Sequence, residues 1–248
     1  MIKVLINGCN GKMGKMLDAR IQETDNIEVI CGVDKSNEDS HLFPVFTDIN
    51  QINLIPDVII DFSIPIATFN ILNFAKKHKI PTVIATTGFS DEENKKIEEL
   101  SNEFPIFKSA NMSYEINLIS KLVAELAQKL PDNDIEIIET HHNQKIDSPS
   151  GTAILLADSI NKSLNNEMHY EMNRNQKREK RNKKEIGISS IRGGTEVGKH
   201  QVIFFGNNES LEITHNVNSR VVFANGAIKA AFFISNKKPR LYNMNDMI

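Results

Sequence analysis

The chain has 248 residues, 40% hydrophobic and 25% charged, with a formal net charge of -3. These are ordinary values for a globular protein, and the length suffices for one large domain or two small ones with sizeable cores. The charge balance argues against a general nucleic-acid or membrane binder, and no apolar run approaches the ~20 residues of a membrane span.

The opening "MIKVLINGCNG" does not read as a signal peptide, because Asn7 and Gly8 cut its apolar run short. Residues 3–7 read as a buried strand, 15–23 as a helix and 27–34 as a second strand. The β-branched runs 57–63 and 81–87 are further strands, with helices at 66–78 and 91–102 and a short strand at 105–110. Strands alternating with helices predict right-handed βαβ units and a parallel sheet covered on both faces. The second half differs. A helix over 114–130 precedes a partly alternating strand, "DIEIIETHH", and a helix over 152–164. Three strand-like runs follow, "GISSIRGG", "KHQVIFFG" and "ESLEITHNV", predicting an antiparallel or mixed sheet. A last helix, 219–234, could return to the first domain.

Residues 165–185 carry Arg174, Lys177, Arg178, Lys180, Arg181, Lys183 and Lys184. A nucleic-acid patch is one reading, but the rest of the chain is acidic enough to offset it. The expectation is a solvated loop; a third option is that its inner end lends a cation to an anionic substrate. Only Cys9 and Cys31 occur, with no Cys-x-x-Cys and no flanking histidine, so they read as small buried residues in a reducing cytoplasm.

"VLINGCNGKMGKML" places Gly8, Gly11 and Gly14 after a strand and at the mouth of a helix. Such a turn brings backbone N–H groups up to a pyrophosphate, where a Cβ would obstruct the approach. The spacing is a variant of the usual dinucleotide fingerprint and weak alone. Asp34 strengthens it, ending the next strand where an acid would take ribose hydroxyls. Lys35 and Lys12 point the other way, toward a 2′-phosphate. "ATTGF" at 85–89 follows another strand and would lie at the same sheet edge, near the nicotinamide.

"ETHHNQKIDSPSGTA", residues 139–153, sets His141, His142, Lys145 and Ser150 between a strand and a helix. A plain connector needs a turn and a cap, and Ser150 would serve as that cap. The richer reading is an anion site at the helix N-terminus, with Lys145 adding charge and a histidine able to give a proton. No H-x-x-x-H or further Cys/His ligand supports a metal.

This stretch resembles the signature E-x-H-H-x-x-K-x-D-x-P-S-G-T-A of the 4-hydroxy-tetrahydrodipicolinate (dihydrodipicolinate) reductases. The likeness extends to "GCNGKMG", "DVIIDFS", "ATTGF", "SANMS", "RGGTEVGKH", "LEITHNVNSR", "FANGAI" and "LYNMNDMI". It implies an α/β fold, a Rossmann-type parallel-sheet domain over 1–112 completed by 219–248. An α+β substrate and tetramerisation domain with a mixed sheet would span 113–218. It implies NADH- or NADPH-dependent reduction of a small dicarboxylate in lysine and diaminopimelate biosynthesis, by a cytoplasmic homotetramer without metal, nucleic-acid or membrane partner. Carried over by position, His141 would be the general acid with Lys145 assisting, and His142, Lys145, Ser150, Gly151 and Thr152 would bind substrate. The cofactor would meet Gly8, Cys9, Asn10, Gly11, Lys12, Met13, Asp34, Lys35, Phe62, Ser63, Ala85, Thr86, Thr87, Gly88, Ser109, Ala110, Asn111, Met112 and Arg220.

The chain departs from the family in places. Ala85 begins the turn usually written G-T-T-G, and Ile64 stands where some members carry an arginine near the cofactor phosphate. Glu115 replaces a glycine near the domain hinge, and the basic run replaces glycines before "IGISSIRGG". The alternatives are another two-domain amino- or keto-acid dehydrogenase, or a nucleotide-sensing homologue without turnover. The His-His-Lys-Ser-Gly-Thr cluster argues against the first, and the intact His141–Lys145 pair disfavours the second, which Glu115 keeps open.

Overall fold

The computed structural model describes residues 1–37 and 41–248. The chain divides into two compact units, Met1–Tyr114 with Val221–Ile248, and Glu115–Arg220. Both boundaries fall slightly later than the sequence expectation, because helices begin at Tyr114 and Val221 and carry the chain across.

The first unit runs β1 (Ile2–Asn7), α1 (Lys12–Gln22), β2 (Ile27–Val33), β3 (Val45–Phe46), β4 (Val58–Asp61), α2 (Pro65–His78), β5 (Thr82–Ile84), α3 (Asp91–Leu100) and β6 (Ile106–Lys108). Its helix starts are written locally. Pro65 opens α2, where a missing N–H costs nothing, and Ser90 with Glu93 forms a reciprocal capping box on α3. α1 begins earlier than expected, at Lys12, because Gly11 is extended and hands the chain straight into the helix.

The second unit holds α4 (Tyr114–Lys129), shared at its first residue, then β7 (Asp134–His141), α5 (Gly151–Ser163), β8 (His169–Glu171), β9 (Glu185–Arg192), β10 (Gly198–Phe205) and β11 (Ser210–Val217). The chain returns to the first unit through α6 (Val221–Ile234) and β12 (Leu241–Tyr242). There Ala224, Ala227, Ala230, Ala231 and Ile234 pack with β1 and α1 residues, and β12 pairs with β6.

The first sheet is parallel throughout, in the order β12-β6-β5-β4-β1-β2-β3. The order in which strands are added reverses between β1 and β4, and ligands of such sheets bind outside the carboxyl ends at that point. Two apolar layers sandwich the sheet, one built around Val4, Ile6, Leu17 and Ala227, the other around Leu5, Ile59, Leu72 and Phe104.

The second sheet runs β11-β10-β7-β9-β8 and is mixed: β10 is antiparallel to β7 and β11, whereas β9 is parallel to β7 and β8. α5 and the long connection after it supply the crossover that parallel β7–β9 pairing requires. Alternation along β7 turns Ile135, Ile137, Glu139 and His141 inward. The first two join a core with Val123, Leu156, Ile160, Val202 and Phe204, and the last two end that face in polar chemistry.

The basic segment 165–185 is exposed over most of 172–184, as a solvated loop would be, but it also contains β8 and a turn of helix at Arg174–Gln176 and is anchored at Arg181. Arg181 donates to Asp134 (3.0 Å), Glu136 (3.1 Å) and the carbonyls of Ile135 and Glu185 (both 2.7 Å). Arg174 pairs with Glu185, Lys177 with Glu171, and Lys184 with Glu167. Four of the run's seven cations are thus paired with the unit's own acids.

Candidate active site

At the carboxyl edge of the first sheet, β1 is followed by Gly8, whose φ is +84°. A Cβ there would collide with the carbonyl of Phe62, so the turn after β1 can approach the turn after β4 only as glycine. Gly11 caps α1 without a side chain, leaving the helix mouth uncovered on an edge that suits a phosphate. Asp34, just past β2, accepts hydrogen bonds from the N–H of Asn10 (2.8 Å) and of Lys35 (2.7 Å). The glycine turn is thus tied to the acid at the neighbouring strand tip. Asn10 is held in turn by Ser36 and by His41, whose other ring nitrogen meets Asp18 at 3.0 Å.

A cleft of about 1070 Å³ opens here, lined among others by Asn7, Gly8, Gly11, Asp34, Lys35, Phe62, Ser63 and Ile64. A dinucleotide's pyrophosphate and ribose fit this donor-rich edge. The Cys9 side chain is fully buried, and burial with Asp34 nearby pushes its thiol up to about 12, so only its backbone can serve a ligand. Burial raises Cys31 to about 12 as well. Thr86 is buried while Thr87 and Gly88 are exposed after β5, and Gly88 has φ +86°. Ser109 to Met112 form a turn after β6 in which the Ser109 hydroxyl donates to the Asn111 carbonyl at 2.7 Å. Lys12 is exposed and Met13 half-buried at the start of α1, and Ala85 is half-buried. Arg220 falls in the second unit, exposed at the foot of β11.

In the second unit, Glu139 is wholly buried and ringed by hydrogen-bond donors. Arg192, opposite His141 in the β7–β9 register, grips both oxygens (2.7 and 2.8 Å). The Ser150 N–H reaches Oε1 at 3.2 Å, and His141 Nδ1 lies 2.5 Å from Oε2. Burial alone would raise this carboxyl; Arg192, Ser190 and His141 reverse that and hold it at about 2. An ionised carboxylate only accepts, so His141 Nδ1 carries the hydrogen and Nε2 is the ring's free end. Nε2 looks toward Gly198, where a Cβ would stand 3.1 Å away. Burial lowers the His141 pKa, Glu139 raises it, and Lys145 and Arg192 lower it, for a net downward shift.

His200, buried on β10 opposite Glu139, meets the Ser150 hydroxyl at 2.8 Å. Burial, with His141 beside it, pushes His200 down to about 4, so it is neutral. Ser150 also caps α5, accepting from the Ala153 N–H at 3.1 Å. Its hydroxyl is therefore spent inside the protein, and Gly151 and Thr152 form the helix mouth. The Lys145 ammonium lies 2.8 and 2.9 Å from the Asp147 carboxylate, and Arg192 reaches the Asp147 carbonyl at 2.7 Å. Arg192 thereby links the Glu139 carboxylate to the loop that carries Lys145. The His142 Nδ1 is buried without a hydrogen-bond partner. Among the described residues no group of three or more His, Cys, Asp or Glu is arranged to hold a metal.

The sequence marks His141 and Lys145 as site groups but not Glu139, Arg192 or His200. Alternation along β7 could have found Glu139, since a carboxylate two residues before a histidine shares its face. Arg192 and His200 are long-range partners that only the register reveals.

A glycine-turned, acid-tipped parallel edge in one unit and a carboxylate-held histidine in the other define a nicotinamide-dependent oxidoreductase. Residues 2–112 match the family model "Dihydrodipicolinate reductase, N-terminus" and residues 115–248 its C-terminal counterpart. The chain belongs to the dihydrodipicolinate reductase family. A 4-hydroxy-tetrahydrodipicolinate reductase of Caldanaerobacter subterraneus subsp. tengcongensis is 50% identical, the match covering 100% of this chain and 98% of that one. One from Clostridium tetani is 47% identical over 100% and 97%. The solved structure of the dipicolinate-bound dihydrodipicolinate reductase from Paenisporosarcina sp. TG-14 superposes with a TM-score of 0.84, at 26% identity and full coverage of both chains.

Proposed function

We propose that the chain reduces 4-hydroxy-tetrahydrodipicolinate to tetrahydrodipicolinate in lysine and diaminopimelate biosynthesis, with His141 as the proton donor. The observation that carries this reading is the His141–Glu139–Arg192 arrangement, which fixes the imidazole tautomer and frees Nε2. The nicotinamide, when bound, supplies the hydride. Gly8, Gly11, Lys12, Asp34 and the turns at 62–63, 85–88 and 109–112 hold and orient it.

His142, Lys145, Gly151 and Thr152 take the substrate's carboxylates, and Ser150 serves them as the cap of α5. A dianion placed beside His141 acts in the same direction as Glu139, raising the imidazole pKa, so binding loads the proton that the reaction consumes. Lys145 exchanges Asp147 for the substrate.

Both NADH and NADPH serve, with NADH at least as good. Asp34 favours a free 2′-hydroxyl, Lys35 offsets its charge for a 2′-phosphate, and exposed Ile64 offers no guanidinium. The enzyme works in the cytoplasm as a homotetramer joined through the second sheet. No described helix is long and apolar enough to cross a membrane.

The test is oxidation of NADH or NADPH on adding the dihydrodipicolinate-synthase product. Turnover is expected with both cofactors, and His141→Gln should lose ~10²–10⁴-fold in kcat with cofactor affinity nearly unchanged. Asp34→Ala should weaken NADH and spare NADPH. No turnover in the wild-type chain, or full activity in His141→Gln, refutes the assignment.

A further inference from the structure

Asp61, the last residue of β4, is fully buried, and no step proposed above uses it. Its Oδ1 accepts from the Asn7 amide (2.8 Å) and the Ser63 hydroxyl (2.5 Å). Its Oδ2 accepts from the hydroxyls of Thr68 (2.6 Å) and Thr86 (2.8 Å). These four donors come from four elements. Asn7 ends β1 next to Gly8, Ser63 follows β4, Thr68 lies on α2, and Thr86 follows β5. Burial pushes the carboxyl's pKa up, against the pull of those four hydrogen bonds. The core therefore accommodates an acid where an apolar residue would pack at less cost.

We propose that Asp61 is the positioning residue of the cofactor edge, holding the turns after β1, β4 and β5 in the one arrangement that binds the dinucleotide. It does so through Asn7, Ser63 and Thr86. The proposal rests on the reading that these turns carry the cofactor. Three further bonds close the network. The Ser63 N–H donates to the Thr86 hydroxyl (2.9 Å), the Phe62 N–H to the Asn7 carbonyl (3.0 Å), and the Ala85 N–H to the Asp61 carbonyl (2.9 Å). The Thr86 oxygen already accepts from Ser63, so its own hydrogen is directed at Asp61 Oδ2. The Asn7 amide takes Oδ1. Each carboxyl oxygen thus has an obligatory donor, and an asparagine, with one oxygen, cannot serve both. Thr86 is only 4% exposed, so its side chain acts on a ligand through Asp61 and not by touching it.

Dinucleotide affinity is read by the change in NADH fluorescence on titration with the protein, alongside steady-state kinetics and melting temperature. Asp61→Asn and Thr86→Val should each weaken NADH at least tenfold, while Thr86→Ser stays within twofold. In Asp61→Asn, substrate KM and kcat at saturating cofactor should hold within about twofold. The double variant should bind no more than twofold worse than the weaker single, because both changes break one linkage.

Multiplying effects in the double variant, wild-type affinity in Asp61→Asn, or a parallel fall of kcat and substrate binding would overturn the proposal. If Asp61→Asn does not fold, Thr86→Val and Ser63→Ala decide, and wild-type NADH affinity in both refutes it. Asp34→Ala separates the two levels. A changed affinity there with none in Asp61→Asn sinks this inference alone, whereas no change in either sinks the cofactor reading with it.

Discussion

Glu139 shows how much one side chain contributes when burial forces its neighbours to satisfy it. Its carboxylate raises the His141 pKa by charge and hydrogen bond, against burial and two nearby cations. Glu139→Gln removes that support, so the imidazole should release its proton at lower pH. The kcat profile, which falls as pH rises past the His141 pKa, should then move to the acid side, with a ~10–100-fold loss at neutrality. An unmoved limb would leave Glu139 a packing role only. The same residue couples folding to pH. Its pKa lies at about 2 in the folded chain against the usual 4.5. A depressed carboxyl contributes stability that is complete above the unfolded value and is lost as pH falls toward the folded one. Urea midpoints of the wild type should decline between about pH 4.5 and 2, and Glu139→Gln should flatten that decline.

At the scale of elements, Arg181 anchors the connection between β8 and β9 to the start of β7. Its side chain is 17% exposed, and its guanidinium serves two acids and two carbonyls. Arg181→Met keeps the stem's packing but strands those acceptors, which should cost about 2 kcal/mol. The check is a lowered melting temperature with unchanged NADH affinity; an unchanged melting temperature would return the segment to a solvated loop. Nothing in the run "NRNQKREKRNKKE" marks Arg181 apart from its six basic neighbours, because its partners lie 45 and 47 residues earlier. The same reason hid β3, β8 and β12, strands of two or three residues that exist only through a neighbour. Elements of strong local period, such as β7, α2 and α4, are legible within a residue or two, as is the glycine turn after β1. Glu115 had no account in the sequence. It stands exposed in the first turn of α4, where the helix dipole favours a carboxylate.

The whole molecule raises the question of what covers the outer face of the second sheet. Helices pack on the face that holds Ile137, Ile188 and Val202, while alternation turns Ile138, Ile191, Ile203 and Phe205 the other way. Ile191 is 50% and Phe205 43% exposed, and Ile138 and Ile203 are half-buried, an apolar patch that a second copy of the same sheet can cover. The proposed tetramer is best tested where a charge disturbs the assembly but not the fold. Ile203 sits opposite Glu136 on β7 and Glu212 on β11. Ile203→Lys therefore gains cross-strand partners of opposite sign within one chain, worth a few tenths of a kcal/mol each. In a face-to-face assembly the same lysines, brought together by symmetry, must lose water and repel one another. Light scattering at micromolar concentration should give a tetramer for the wild type and a smaller species for Ile203→Lys, with the melting transition still cooperative. A wild-type monomer, or a variant that remains tetrameric, would place the interface elsewhere or nowhere, and the outer face would need another explanation.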